Sequence, residues 1–163
     1  MISQGMMKEL EHEGGQTKRI LERIPIDKFD WKPHEKSREI GQLAIHVAQI
    51  PTWTSRILAA SEFDMVGFKR DIPQINSTED LVKLSSESIQ KATNDLAKAS
   101  DEDMMAVWTL RAGDHVIFSL PRVAAIRSMS MSHLIHHRGQ LSVYLRLLDI
   151  PVPGIYGPSA DEM

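Results

Sequence analysis

His133-Leu134-Ile135-His136-His137-Arg138-Gly139-Gln140-Leu141 lies inside an apolar-periodic run from Arg122 to Leu148. Helix residues four apart stack one above the other, so His133 and His137 point the same way and their imidazoles can meet one cation. At about 100° per residue the same face carries Ile126, Met129, Gln140 and Tyr144, a mostly apolar stripe turned to the core. A core needs no imidazoles, and a third is at hand. His46, in Gly41-Gln42-Leu43-Ala44-Ile45-His46-Val47-Ala48-Gln49-Ile50, sits on the apolar face of another predicted helix, between Leu43 and Ile50. Two helices that each turn histidine inward point to a shared metal.

Upstream, Met6, Met7, Leu10, Thr17, Ile20, Leu21 and Ile24 recur at helical spacing ahead of Pro25, which predicts a first helix over 2–24. Gly14-Gly15 interrupts it at a cost on the order of 1 kcal/mol per glycine, which makes sense where another backbone comes close. His12 falls off the apolar face and reads as a solvated residue. Asp27 to His34 is a loop anchored by Phe29 and Trp31, with His34 an outlying ligand candidate. Ser37 is placed to cap the second helix, whose inward face reads Glu39, Leu43, His46, Ile50, Trp53 and Ile57. Pro51 inside that helix predicts a kink near Val47 and an opening beside His46. Glu39, two turns before His46, is a candidate base or further ligand, or simply suits a helix N-terminus.

The stretch from Ser61 to Asn76 has no sustained period and reads as a crossing loop. Ser77-Thr78-Glu79-Asp80 has the form of a capping box, and Leu81, Leu84, Ser88, Ile89, Ala92, Leu96 and Ala99 mark a third helix without a candidate ligand. Asp101 to Leu120 places Trp108, Leu110, Val116 and Phe118 around Ala112-Gly113-Asp114, the pattern of a short hairpin. As a long connection it is either a lid over the site, with His115, or an irregular segment packed by its own aromatics. Pro121 suits the first position of the fourth helix, and the proline-rich stretch from Pro151 to Pro158 follows its end. Gly139 falls in a stripe of mostly small residues, Ala125, Ser128, Ser132, His136 and Val143, that would admit a neighbouring helix or a second subunit.

Four amphipathic helices with little strand signal predict an all-α chain: a four-helix bundle with long connections, one domain over 1–163. With 19 basic and 22 acidic residues and a net charge of −3, there is no footprint for nucleic acid or an anionic membrane surface. There is no cysteine, so a metal must be held by nitrogen and oxygen. The N-terminus lacks the basic-then-apolar order of a signal peptide and no apolar run reaches membrane-spanning length, so the expectation is a soluble, cytoplasmic protein.

His46, His133 and His137 together form a facial set suited to Zn²⁺, Ni²⁺ or Fe²⁺, with positions left for water or a small-molecule substrate. Leu134 stands where H-E-x-x-H would carry its glutamate base, which disfavours a zincin-type protease. Leu43 and Ser130 precede His46 and His133 by three, so the Glu-x-x-His pairs of di-iron bundles are missing.

Asp30-Trp31-Lys32-Pro33, Leu43 with His46, His133-x-x-x-His137-Arg138-Gly139-Gln140-Leu141 and the Pro151–Pro158 stretch resemble the DinB-like metal-binding proteins, the DinB/YfiT superfamily. The resemblance covers nearly the whole chain. It implies a four-helix bundle with a divalent metal on His46, His133 and His137, often as a homodimer. It also implies either a thiol-dependent transferase or isomerase using a low-molecular-weight thiol, or a metal-dependent hydrolase. The rival readings are a non-catalytic metal-binding or stress-associated bundle and a metal-free interaction protein. No catalytic residue beyond the ligands is assignable from the sequence.

Overall fold

The computed structural model describes residues 1–163, and its helices follow the apolar spacing closely. Helix α1 (Ile2–Leu21) buries Met6, Leu10, Thr17, Ile20 and Leu21 along one stripe. Gly14 fits tightly against the side chain of Ile89, where an added Cβ would lie 3.1 Å away, whereas nothing approaches Gly15 within 4 Å. The expected close backbone is therefore a close side chain, at one glycine only. Helix α2 (Ile40–Gln49) buries Ile40, Leu43, Ala44, Ile45, Val47 and Ala48. Its N-cap is Glu39 rather than Ser37, and no side chain caps it. Gly41 is required here, because a Cβ would fall 2.6 Å from the ring of Phe29, whose carbonyl accepts the Gly41 N–H at 3.0 Å. The loop before α2 is thereby fastened to it one turn ahead of His46.

Pro51 does more than bend the second helix: it divides it. Helix α2 ends at Gln49 and α3 runs Thr52–Ala59, so the break falls at Ile50-Pro51, later than the kink expected near Val47. Pro51 has no N–H to give the Val47 carbonyl, which Ile50 N–H reaches instead at 3.4 Å. Helix α4 (Thr78–Leu96) starts at the expected capping box, with Ser77 accepting from Asp80 N–H and the Asp80 carboxylate accepting in return.

The expectation of an all-α chain is overturned by a three-stranded sheet. Strand β1 (Glu62–Asp64) pairs in parallel with β2 (Val107–Ala112), which pairs antiparallel with β3 (His115–Pro121). A short helix, α5 (Asp101–Met105), leads into the hairpin. The hairpin follows from Gly113, whose φ of 58° meets the positive value that a two-residue connection demands. Trp108 and Leu110 alternate inward from β2 and are buried among the helices. The parallel partner β1 has three residues and no alternation of its own. It is a strand because β2 lies beside it, and Arg111 bridges Glu62 and Asp64 across the ladder.

The last helical rod is composite: α6 (Arg122–Ile126), a π-helical segment (Arg127–Ser132) and α7 (His133–Leu147). Two apolar clusters fill the interior. One joins Ile20, Leu21, Leu43, Val47, Leu134, Leu141 and Leu145 from α1, α2 and α7. The other joins Met6, Leu10, Ile57, Leu96, Trp108, Ala125 and Ile126 beneath the sheet. Each fully buried aliphatic side chain contributes roughly 1.5–3 kcal/mol of transfer free energy. No helix is long and apolar enough to cross a membrane.

Candidate metal centre

The Pro51 break and the π-helical segment both lie within a turn or two of the histidines. Helix α2 delivers His46 from the core face between the buried Leu43 and Val47, just ahead of the break. The π-helical segment ends immediately before His133. Such a segment inserts an extra residue per turn and re-phases the side chains after it, and π-bulges concentrate at functional sites. Ser130 within it is buried and accepts from Thr54 Oγ1 of α3 at 2.9 Å, tying the segment to the second rod.

His46, His133 and His137 converge. Their ligand atoms all lie within 4.8 Å of one another, and the ring centroids are 4.7 to 4.9 Å apart. His46 Nε2 and His133 Nε2 are 3.2 Å apart. Two nitrogens on one tetrahedral ion with bonds of about 2.0–2.1 Å are separated by roughly 3.3 Å, so this edge has the required length. Two of the rings are oriented by acceptors at their far nitrogens. His133 Nδ1 faces the Met129 carbonyl at 3.3 Å, and His137 Nδ1 faces Gln140 Oε1 at 2.6 Å. A proton on each Nδ1 leaves Nε2 with a free lone pair aimed into the cluster, the usual outer-shell arrangement of a metal-binding histidine. The donor set is all imidazole, without thiolate or carboxylate, and it fits a borderline divalent ion.

Burial keeps the imidazoles neutral. The His46 pKa is lowered to about 3, first by burial and then by His133, Arg70, Arg38 and His137. Burial likewise holds His133 and His137 below the ordinary value of 6.5, although the Met129 carbonyl and Gln140 pull the other way. Neutral imidazoles are the ligating form.

A cleft of about 90 Å³ opens beside His46, walled by Ile50, Trp53 and Phe68, with Gln49, Arg56, Arg70 and Asp71 at its polar positions. On the far side a second depression is lined by Ser37, Arg38, Leu43, His137, Gln140 and Tyr144. Tyr144 packs edge-on against Trp31 and donates to the Arg38 carbonyl at 3.2 Å.

The remaining sequence candidates fall elsewhere. His12, His34 and His115 are exposed, and His136 is exposed beside the set without joining it. Glu39 stays at the helix start, outside the cluster. The hairpin is no lid: neither depression includes a hairpin residue. The cover comes instead from Phe68, Arg70 and Asp71, in the stretch read as a crossing loop. Arg56 stacks over Phe68 at 4.8 Å, Trp53 at 5.5 Å and Phe63 at 5.9 Å. No periodicity marks Arg70 or Phe68; the one available signal is the length of the 61–76 stretch, since long connections in compact domains are often functional.

The sequence profile of the DinB family matches residues 1–163. An uncharacterised protein of Bacillus subtilis, YrdA, is 25% identical over 160 residues, covering 96% of this chain and 89% of that protein. Among solved structures, a DinB-like protein from Bacillus subtilis superposes with a TM-score of 0.72 at 18% identity, covering 98% of this chain and 99% of the other. One from Bacillus cereus gives 0.73 at 18% identity, with 94% and 97% covered. A member from Exiguobacterium sibiricum gives 0.62 at 23% identity, with 99% and 97% covered.

Proposed function

The chain belongs to the DinB family, and from that premise we propose that it is a metal-dependent enzyme holding one divalent ion, Zn²⁺, Ni²⁺ or Fe²⁺, on His46, His133 and His137. The observation that carries this is the convergence of three neutral, half-buried imidazoles from two helices beside an open cleft. When bound, such an ion supplies Lewis acidity that brings the pKa of a coordinated thiol or water down toward neutrality.

The chain's own residues supply orientation and enclosure. The Met129 carbonyl and Gln140 fix the tautomers of His133 and His137, and Trp53 with Phe68 gives the cleft an apolar wall that excludes water from one side. The protein has no cysteine, so a reacting thiol must arrive as a small molecule. The reaction proposed is transfer of a low-molecular-weight thiol to an electrophile: sulfur loses its proton, attacks carbon, and the leaving group departs with the electron pair. Hydrolysis is the corresponding reaction with water. We further propose a homodimer through the exposed stripe of Ser132, at the end of the π-helical segment, and His136, Gly139 and Val143 on α7.

The test is metal analysis of protein purified without a histidine tag, followed by turnover of a chromogenic electrophile with a panel of small thiols. About one ion per chain and metal-dependent consumption of a thiol are expected. Metal without turnover would leave a non-catalytic metal-binding bundle, and no metal at all would overturn the proposal.

A further inference from the structure

Arg38, Arg56 and Arg70 border the histidine set, and none of them forms an ion pair with any carboxylate of the chain. Of the other arginines, Arg19, Arg111, Arg127, Arg138 and Arg146 are ion-paired, Arg122 donates to the carbonyls of Ile57, Asp103 and Ala60, and Arg23 is exposed to solvent. Asp71 lines the cleft with Arg56 and Arg70 but bonds to neither through its side chain. The one side-chain partner of Arg70 is an imidazole, His46 Nδ1, at 2.5 Å, and its Nε–H is buried with no acceptor. Buried donors ordinarily find acceptors, so a guanidinium in this state has unused capacity for an anion.

Metal ligation sharpens the mismatch. Ligation through His46 Nε2 places the ring proton on Nδ1, the atom facing Arg70. An arginine can only donate, so His46 then offers Arg70 no acceptor, and a divalent ion adds positive charge to a site that already has three unpaired cations. In this geometry no side chain of the protein supplies an acceptor to Arg70 Nε.

Resting on the metal-site reading above, we infer that the cleft beside His46 is an oxoanion subsite, in which Arg70 and Arg56 receive the carboxylate of a small organic acid while the histidine-held ion takes that molecule's other donor. The guanidinium fork matches a planar carboxylate bidentately. Trp53, Phe68 and Ile50 provide an apolar wall for a short carbon chain, and about 90 Å³ admits a headgroup of a few heavy atoms rather than a whole cofactor. Arg38, on the opposite side, adds field without direct contact: its charge acts on all three histidines and on Arg70.

The experiment is titration calorimetry of the full-length, zinc-loaded protein at constant ionic strength with three probes: 3-mercaptopropionate, its uncharged amide and inorganic phosphate. The acid is expected to bind tighter than the amide by a factor on the order of ten or more. Arg70→Gln should abolish that preference. Arg56→Lys, which keeps the stacked charge but loses the fork, should reduce it. Both variants should retain one zinc per chain and a wild-type circular dichroism spectrum, which separates loss of the subsite from loss of the fold. Equal affinity for acid and amide, or a preference that survives Arg70→Gln, would overturn the inference. Phosphate binding tighter than the acid would overturn the carboxylate assignment in favour of a tetrahedral anion. An Arg70-dependent acid preference in protein that takes up no zinc would uphold the subsite and sink the metal reading. Zinc uptake with no such preference would do the reverse.

Discussion

His133 and His137 are each held by an acceptor at Nδ1, whereas His46 meets a donor there, so the three ligands are not equivalent. Replacing any one of them leaves at most two protein ligands. His133→Ala is therefore expected to lose bound metal, while His12→Ala, at an exposed position outside the set, keeps it; atomic absorption on the two variants decides. Proton linkage gives a second test. The His46 pKa is about 3 in the folded chain against an ordinary 6.5, so the unfolded chain binds more protons between those values. Stability that is complete above about pH 6.5 is then lost progressively as pH falls toward 3. Melting temperatures in a chelator from pH 7.5 down to 4 should fall, and less steeply in His46→Gln; identical slopes would show that His46 does not contribute.

Among the elements, α2 owes its placement to one close approach. Phe29 lies on Gly41, and a methyl group there would overlap the ring at 2.6 Å. Gly41→Ala is expected to cost roughly 1–3 kcal/mol by overpacking, despite alanine's better helix propensity, and to weaken metal affinity by shifting the turn that carries His46. An unchanged denaturation midpoint would show that the Phe29 loop yields without penalty. Helices α1 and α7 are joined by a buried ion pair, Arg138 to Glu13 at 2.7 Å, with side chains only 3% and 7% exposed. Tyr156 from the proline-rich stretch donates to Glu13 at 2.8 Å and accepts from Arg138 at 2.6 Å. Glu13→Ala leaves Arg138 buried without its countercharge, so a loss of about 3–5 kcal/mol is expected in urea denaturation.

For the whole molecule, the exposed side of α7 remains unaccounted for by its own chain. Nothing lies within 4 Å of a Cβ placed at Gly139, so no helix of the same chain packs on this part of the small-residue stripe, whereas Ala125 at its other end is buried in the core. Val143 and Leu147, beside it, are 56% and 57% exposed. If two copies pair there, the wild type should sediment as a dimer and Gly139→Leu as a monomer with an intact circular dichroism spectrum. A monomeric wild type would remove the proposed homodimer.

Sequence periodicity by itself determined the helical rods, the capping box at Ser77, the inward faces of His46, His133 and His137, and the exposure of His12. These depend on spacing along one element, which local geometry sets at 3.6 residues per turn. The β2–β3 hairpin was legible at Ala112-Gly113-Asp114, and Pro51 announced a bend in the second helix, but the third strand β1, the full break at Ile50-Pro51 and the π-helical segment were decided only in three dimensions. Strand β1 has three residues, too few to show alternation, and is a strand because β2 lies beside it. The π-helical segment leaves no mark in Arg127-Ser128-Met129-Ser130-Met131-Ser132, since one extra residue per turn is stabilised by contacts such as Thr54 with Ser130. Arg70 reaches His46 for the same reason: a charge in an aperiodic stretch has no face until the fold gives it neighbours.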